Sequence, residues 1–223
     1  RVRGPIPPDT FIPLCEKLGL ISELTFSLLD RAFADAREWP PHLSLSVNLS
    51  ALQLADPLLP VKLIAALERG KFDPRRLELE LTESAVIGDL AGAKRTLSQL
   101  QRLGIKIALD DFGVGYSGMY HLRELQVDKI KIDRSFVASM NDKPESAKII
   151  NAILSLSQSL GLPTVAEGIE DAEAMQRMVE RGCQFGQGFY FSEAVPPEAA
   201  AVLAAQSSPK PRRRTRQKIA AAG

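Results

Sequence analysis

The stretch LELELT, residues 77–82, alternates leucine with polar residues and indicates a β-strand with two unlike faces. The three leucines fall on one face, and Glu78, Glu80 and Thr82 fall on the other. A central strand of an open α/β sheet is covered by helices on both sides and is apolar on both faces. The polar face therefore favours a closed barrel whose interior becomes polar toward the carboxyl ends of its strands.

Similar patterns continue along the chain and predict an alternation of strands and helices. Five further strands are predicted at 43–50, 105–109, 128–133, 163–167 and near 183–189. Helices are predicted at 21–38, 57–69, 89–103, 144–160 and 171–181, with a shorter one around 9–18. Three helical patterns are followed by a glycine, which readily takes the left-handed conformation of a helix end, at Gly104, Gly161 and Gly182. Strands alternating with helices predict parallel β/α units.

Two α/β architectures fit this order: an open doubly wound sheet and a TIM-type (β/α)8 barrel. A second strand, 128–133, places Lys129 and Lys131 together on one face, as LELELT does with its glutamates. These polar faces favour the barrel, whose active sites gather at the carboxyl ends of the strands. Since only six strands are predicted, we expect about the first two of the eight to be missing from this chain. The predicted barrel domain covers residues 1–206.

The last 17 residues differ in charge from the rest of the chain. Residues 207–223 carry six of the 28 basic residues and no acid, which leaves 22 basic against 27 acidic residues, a net charge of −5, before them. A basic segment rich in Pro and Ser is typical of a disordered tail. Contact with nucleic acid or anionic lipid is the alternative, but we favour a solvated tail and expect no binding to duplex nucleic acid.

Cysteine and histidine are scarce, which limits the kinds of metal site and catalytic group that the protein can have. The cysteines, Cys15 and Cys183, lack metal-ligand spacing, so we expect a cytoplasmic location, which includes the cytoplasmic part of a membrane-anchored sensor. No apolar run approaches the ~20 residues that span a bilayer. With only two histidines, His-rich zinc sites and His-based triads are disfavoured, and carboxylates remain as the reactive groups.

Polar residues recur near the carboxyl ends of the predicted strands, where a barrel brings side chains together. Each of these residues alone is more often a solvated or loop-pairing group. Four or more converging carboxylates repel one another unless cations neutralise them, and all-oxygen ligands favour Mg²⁺, Mn²⁺ or Ca²⁺. Two such ions about 4 Å apart activate water for attack on a phosphodiester. The residues are Asn48, Glu80, Asp110, Asp111, Lys131, Asp133, Glu167 and Gln187.

The stretch DDFGVGYSG, residues 110–118, also contains the G-x-G-x-x-G pattern of a dinucleotide-binding turn. In that turn the backbone N–H groups face a pyrophosphate. Here Asp110 and Asp111 stand where the pyrophosphate would approach, and the helix predicted after Gly118 is short. We therefore interpret this stretch as a metal site followed by a mobile loop.

The motifs together resemble those of the EAL-domain family, bacterial phosphodiesterases that hydrolyse cyclic di-GMP to linear pGpG. The resemblance extends from Ile6 to about Pro197. The motifs that carry it are FIPLCEKLGLI, VNLSA, LELELTES, ALDDFGVGYSG, VDKIKIDRSFV, TVAEGIE and GQGFYFS. The resemblance implies that the motif that names the family, with its metal-binding Glu, lies shortly before residue 1.

The resemblance also assigns roles to residues of this chain. Lys131 corresponds to the lysine that contacts the attacking water, and Glu170 and Gln187 to residues that support the metal and water network. Glu83 corresponds to the glutamate that anchors the loop 112–118, which in this family links the dimer interface to metal binding. The implied metal ligands are Asn48, Glu80, Asp110, Asp111, which is shared between two ions, and Glu167.

The resemblance finally implies an activity, cofactors and partners. We expect hydrolysis of cyclic di-GMP with two Mg²⁺ or Mn²⁺ ions, and inhibition by Ca²⁺. We also expect a homodimer, with sensory or GGDEF-type domains upstream. The alternative is a catalytically inactive receptor that binds cyclic di-GMP and signals through partners. A different carboxylate-rich barrel enzyme would require the whole motif series to be chance.

Overall fold

The computed structural model describes residue 4, residues 6–115 and residues 118–207 of the chain. Residues 116 and 117 of the predicted loop and residues 208–223 of the predicted tail lie outside them. The strands are β1 Leu45–Asn48, β2 Leu77–Thr82, β3 Lys106–Phe112, β4 Lys129–Ile132, β5 Thr164–Ala166 and β6 Phe185–Gly186. The helices are α1 Pro8–Lys17, α2 Ile21–Ala36, α3 Ala51–Leu54, α4 Leu59–Gly70, α5 Leu90–Arg102, α6 Gly118–Leu125, α7 Arg134–Ser139, α8 Pro144–Leu160, α9 Ala172–Glu180 and α10 Pro197–Gln206, with 3-10 turns at Pro74–Arg76 and Glu83–Val86.

The six strands form one parallel sheet whose spatial order, β1 to β6, is the order of the chain. A doubly wound sheet reverses its strand order at a switch point, and this sheet does not. Sequential parallel strands with helical connections are the arrangement of a TIM-type barrel. The predicted fold class is therefore confirmed, with six of the eight strands of such a barrel in the described residues.

The two faces of β2 differ as the alternation predicts. Leu77, Leu79 and Leu81 are fully buried in the apolar core between the sheet and the helices. Burying a leucine side chain stabilises a fold by about 1.5–3 kcal/mol, so these residues hold β2 against its helical layer. Glu78 and Glu80 are also buried, with 6% and 8% exposure, on the opposite face. The interior of the partial barrel is therefore polar at this strand.

The predicted helix boundaries agree with the structure in several places. Gly104, Gly161 and Gly182 all have positive φ after a helix, as the C-terminal signals predict. Asp171 caps α9, since its side chain accepts a hydrogen bond from the Ala174 N–H at 2.7 Å. None of the helices in the described ranges is long and apolar enough to cross a lipid bilayer.

Helix α10 brings the end of the described chain back to α2 and to the segment that precedes β1. It packs against α2, and the Ser207 hydroxyl lies 3.0 Å from Nε2 of His42. His42 precedes β1, so this contact lies at the amino ends of the strands. The described chain therefore ends on the side of the sheet opposite to the carboxyl ends.

Candidate metal centre

Strand β3 carries two adjacent aspartates through an irregularity in its backbone. The strand was predicted to end at residue 109, but it continues to Phe112 and contains Asp110 and Asp111. Its register with β4 shifts between Leu109 and Phe112, and Asp111 has a left-handed φ of +52°. Neighbouring side chains of a regular strand point to opposite faces, and a bulge changes this alternation. The bulge explains how two consecutive carboxylates reach one site.

Three carboxylates converge at the carboxyl ends of β3 and β5. Asp110, Asp111 and Glu167 each offer one oxygen atom, and these atoms all lie within 4.8 Å of one another. Glu167 directly follows β5, and its N–H donates to the carbonyl of Ile132 at the end of β4 at 3.1 Å. This set of oxygen donors matches the preference of Mg²⁺ and Mn²⁺ for carboxylate ligands, so the site fits the predicted ions.

Lys131 lies at the centre of the carboxylates. Its Nζ is 2.7 Å from Oε2 of Glu80, 2.6 Å from Oε1 of Glu167 and 3.1 Å from Oδ1 of Asp110. The lysine is 2% exposed, and the residues it contacts come from β2, β3 and the end of β5. A single buried ammonium thus joins three strands of the sheet electrostatically.

The protonation of these groups reflects both burial and contact. Burial alone would lower the pKa of Lys131, but hydrogen bonds to Glu167 and Glu80 and the charge of Asp110 outweigh it and raise the pKa. Burial raises the pKa of Glu167 to about 7, against the opposing effect of its hydrogen bond from Lys131. Burial also raises the pKa of Asp111, and the neighbouring charges of Asp110 and Asp133 raise it further. Lys131 therefore stays charged among carboxylates that compete for cations.

Three other predicted site residues lie at the rim and not in the cluster. Asn48 ends β1 opposite Glu80 and is exposed, as are Glu170 and Gln187. The backbone of Gln187 is fixed, because its N–H donates to the carbonyl of Ala166 at 2.8 Å. Within the described part of the chain, no side-chain hydrogen bond joins any of the three to the carboxylates. The structure thus brings Glu80, Asp110, Asp111, Lys131 and Glu167 together and leaves Asn48, Glu170 and Gln187 around them.

Glu83 lies below the glycine-rich loop that follows the metal centre. Its side chain is buried, and Oε1 accepts a hydrogen bond from the Gly113 N–H at 3.1 Å. Gly113 has a φ of +100°, which favours glycine. A Cβ at Gly115 would stand only 2.2 Å from Oε2 of Glu83, and this oxygen has no hydrogen-bond partner among the described residues. These two glycines therefore let the backbone approach a buried carboxylate.

Glu83→Ala is expected to weaken metal binding by about 10- to 100-fold without removing a ligand, as losses of supporting contacts around metal sites do. The reason is that Gly113, two residues after Asp111, loses its hydrogen-bond acceptor. Isothermal titration with Mn²⁺ measures the affinity, and saturating Mg²⁺ should recover part of the activity. Light scattering should show a smaller dimer fraction if the loop also supports the dimer.

Glu83→Gln is the matched control, because it keeps an acceptor oxygen and nearly the same shape. It should retain most of the metal affinity. Should Glu83 itself be a ligand or a base, saturating metal would recover no activity in Glu83→Ala, and the dimer fraction would stay unchanged.

One partly buried contact near the centre had no role in the sequence interpretation. Glu78 and Lys129 pair with each other, with Nζ 2.7 Å from Oε1 and 2.5 Å from Oε2. The alternation places both residues on polar strand faces, but it does not show that they meet. Their encounter depends on β3 lying between β2 and β4, which only the topology reveals.

Comparison with known proteins supports the resemblance seen in the motifs. The family model described as EAL domain matches residues 1–194. An uncharacterized signaling protein of Caulobacter vibrioides is 40% identical over 96% of this chain and 27% of its own length. The bifunctional diguanylate cyclase/cyclic di-GMP phosphodiesterase MucR of Pseudomonas aeruginosa is 39% identical over 87% of this chain and 29% of its own.

The fold has close counterparts among solved structures. The structure of the MucR phosphodiesterase in complex with c-di-GMP superimposes with a TM-score of 0.83 at 37% identity, covering 87% of this chain and 81% of that one. The first five curated relatives are matched over only 24% to 29% of their length. The chain therefore spans about a quarter of these longer proteins.

Proposed function

The chain belongs to the EAL-domain family, and from this premise we propose that it is a metal-dependent phosphodiesterase that hydrolyses cyclic di-GMP to linear pGpG. The observation that carries the proposal is the group of Asp110, Asp111 and Glu167 around a buried lysine. These residues stand where the family motifs imply metal ligands and the water-contacting lysine. The relative MucR is named for the same activity, and this supports cyclic di-GMP as the proposed substrate.

Asp110, Asp111, Glu167 and Glu80 would hold two Mg²⁺ or Mn²⁺ ions, together with the amide oxygen of Asn48 and the Glu of the preceding motif. These carboxylates lie close together, and divalent ions would neutralise their mutual repulsion, which is why the site suits such ions. Bound ions of this kind lower the pKa of a water molecule and polarise a phosphodiester oxygen. Asp111, as the proposed shared ligand, would fix the spacing of the two ions.

The other side chains orient the reacting groups. Lys131 keeps its proton in this acidic surrounding, so its Nζ is a donor that can hold a water molecule beside the carboxylates. Gln187 and Glu170 at the rim would support the same water network, as the family motifs imply. A cavity of about 370 Å³ lies beside Glu80, Lys131 and Gln187, and its other walls include the apolar side chains of Val165, Phe185 and Phe191.

Purified protein that includes the preceding segment, where the naming motif is predicted, is expected to convert cyclic di-GMP to pGpG with Mg²⁺ or Mn²⁺. Added Ca²⁺ should inhibit, because it takes more ligands at longer and looser distances. Chromatography of the nucleotides measures the product. Binding of intact cyclic di-GMP without pGpG at micromolar protein would contradict the enzyme and support the alternative, an inactive cyclic di-GMP receptor.

The setting of the domain is part of the proposal. We place it in the cytoplasm, since Cys15 and Cys183 are free thiols and a reducing compartment keeps them so. Further domains, sensory or of the GGDEF type, would accompany it, because the chain matches only part of longer relatives such as MucR. A homodimer would form through the region near the Glu83-bound loop, which light scattering of the purified protein tests.

A further inference from the structure

A second glutamate–lysine pair lies directly beneath the metal centre. Glu78 and Lys129 precede Glu80 and Lys131 by two residues on the same two strands. Their contact is bidentate, at 2.7 and 2.5 Å, and Glu78 is only 6% exposed. The polar face of the sheet therefore holds two tiers of glutamate–lysine pairs, one after the other along the strands. The proposed chemistry uses only the upper tier, which is the pair nearer the carboxyl ends.

The surroundings of the lower pair fit its geometry. Strand β3 lies between the partners, and its residue opposite Lys129 is Ala108, whose small side chain lets the lysine cross to Glu78. The Ser46 hydroxyl donates to Oε1 of Glu78 at 3.3 Å. On the other side, Nζ of Lys129 lies 5.7 Å from the centroid of the Phe185 ring. Lys129 is thus the nearest cation that neutralises Glu78 in the described interior.

The two tiers are close enough to exchange partners. Residues two apart on a strand lie about 6.6 Å apart on one face, a distance that a flexible lysine side chain can bridge. A buried carboxylate without a cation is costly. If Lys129 were absent, Glu78 would attract Lys131, the next ammonium along β4, away from Asp110 and Glu167.

We propose that Lys129 is a positioning residue: by neutralising Glu78 it keeps Lys131 among Glu80, Asp110 and Glu167. This inference rests on the proposed function, in which Lys131 contacts the attacking water. The ammonium of Lys129 pairs with Glu78 and with none of the proposed ligands, although its side chain lines the same cavity as Glu80 and Lys131. Lys129 therefore affects catalysis only indirectly, by determining the position of Lys131.

Lys129→Met tests the inference because methionine fills similar space without a charge. We expect kcat to fall by about 10- to 100-fold, as for lost supporting contacts around a metal site. Since Lys129 also lines the cavity beside Glu80 and Lys131, KM can change as well, but the loss in kcat should be the larger effect. The double variant Glu78→Gln/Lys129→Met removes the lone carboxylate as well and should restore kcat to within about threefold of the parent, given the usual scatter of such cycles.

A double variant as impaired as the single one would show that Lys129 acts otherwise than by neutralising Glu78, and that result would overturn the inference. If Lys129→Met does not fold, the inference is tested on the double variant only. A kcat and Mn²⁺ affinity near those of the parent support the inference, and a low kcat in the folded double variant overturns it.

Titration with Mn²⁺ separates this inference from the proposed function, because it needs no turnover. When Lys131 moves down to Glu78, it stops competing with cations at Asp110 and Glu167, so Lys129→Met should bind Mn²⁺ more tightly than the parent. The double variant should return to the parent affinity. If the parent protein hydrolyses nothing, the proposed function fails while this titration still tests the lysine exchange. Unchanged affinity in Lys129→Met would overturn the exchange.

Discussion

Asp111→Asn is expected to lower kcat by about 10³-fold, the factor that corresponds to losing about 4 kcal/mol of transition-state stabilisation by metal ions. Asp111 is the proposed shared ligand, so one neutral amide disturbs both ions. The substitution removes the charge of the side chain but should leave the backbone conformation unchanged. Asparagine tolerates the left-handed conformation that Asp111 adopts at φ +52°, so the bulge in β3 should persist.

Isothermal titration with Mn²⁺ should show fewer bound ions in Asp111→Asn, and the melting temperature without metal should be unchanged or higher. The reason is that burial and the charge of Asp110 both disfavour the ionised form of Asp111 and raise its pKa. Replacing this carboxylate by a neutral amide removes that repulsion. Asp142→Asn, the same change on an exposed residue between α7 and α8, is the control and should leave kcat unaltered. Full activity in Asp111→Asn would exclude a shared metal ligand at this position.

Lys131→Met is expected to reduce the unfolding free energy of the metal-free protein by about 3–5 kcal/mol, the cost of leaving a buried charge unpaired. Glu80, Asp110 and Glu167 would lose their common partner within 3.1 Å. Saturating Mn²⁺ should restore most of the loss, because the ions neutralise the same oxygens. The kcat should nevertheless stay about 10²-fold low, as when a donor to the reacting group is lost.

Lys106→Met is the matched control for that experiment. Lys106 pairs with Asp128 at 2.7 Å, but its side chain is 55% exposed, and exposed pairs contribute at most about 1 kcal/mol. Denaturant unfolding with and without Mn²⁺ measures both variants. Asp111→Asn and Lys131→Met should differ in metal binding, weakened in the first and not in the second. An equal loss of metal affinity in both would contradict this division of roles.

The sequence predicts the sheet well because most of its strands obey simple alternation. LELELT gives β2 at its full length, and its leucines and glutamates lie on the faces predicted. Strand β3 was predicted to end at residue 109, two residues too early for Asp111 to belong to it. Adjacent aspartates break the alternation, and the strand passes through them because Asp110 pairs with Thr82 of β2 and Phe112 pairs in shifted register with Ile132 of β4. That pairing joins distant residues and leaves no local signal.

Short helices were also missed, although their first residues carry capping signals. Ser50 and Gln53 form a capping box at the start of α3, and Asp133 caps α7 by accepting from the Ser135 N–H at 2.9 Å. Helices of four and six residues show too little periodicity to be predicted from a pattern. Helix α10, which is rich in alanine, lacks a polar and an apolar stripe and so gives no amphipathic signal.

For the candidate site, strand positions could be predicted but side-chain partners could not. The sequence places Glu80, Asp110, Lys131 and Glu167 at strand ends, and the structure joins them through one ammonium. Their convergence follows from parallel strands meeting at one edge. The choice of partner depends on distances across three strands, as the contact between Lys129 and Glu78 illustrates.

The contact between His42 and Ser207 has a practical consequence for handling the protein. It fixes the end of α10 at the amino ends of the strands, while Asp110, Asp111 and Glu167 lie at the opposite ends. A tether or fluorescent fusion attached after Ser207 therefore leaves from the far side of the molecule. If the protein were immobilised through that end on a biosensor chip, its carboxylate cluster would face the solution that carries the nucleotide.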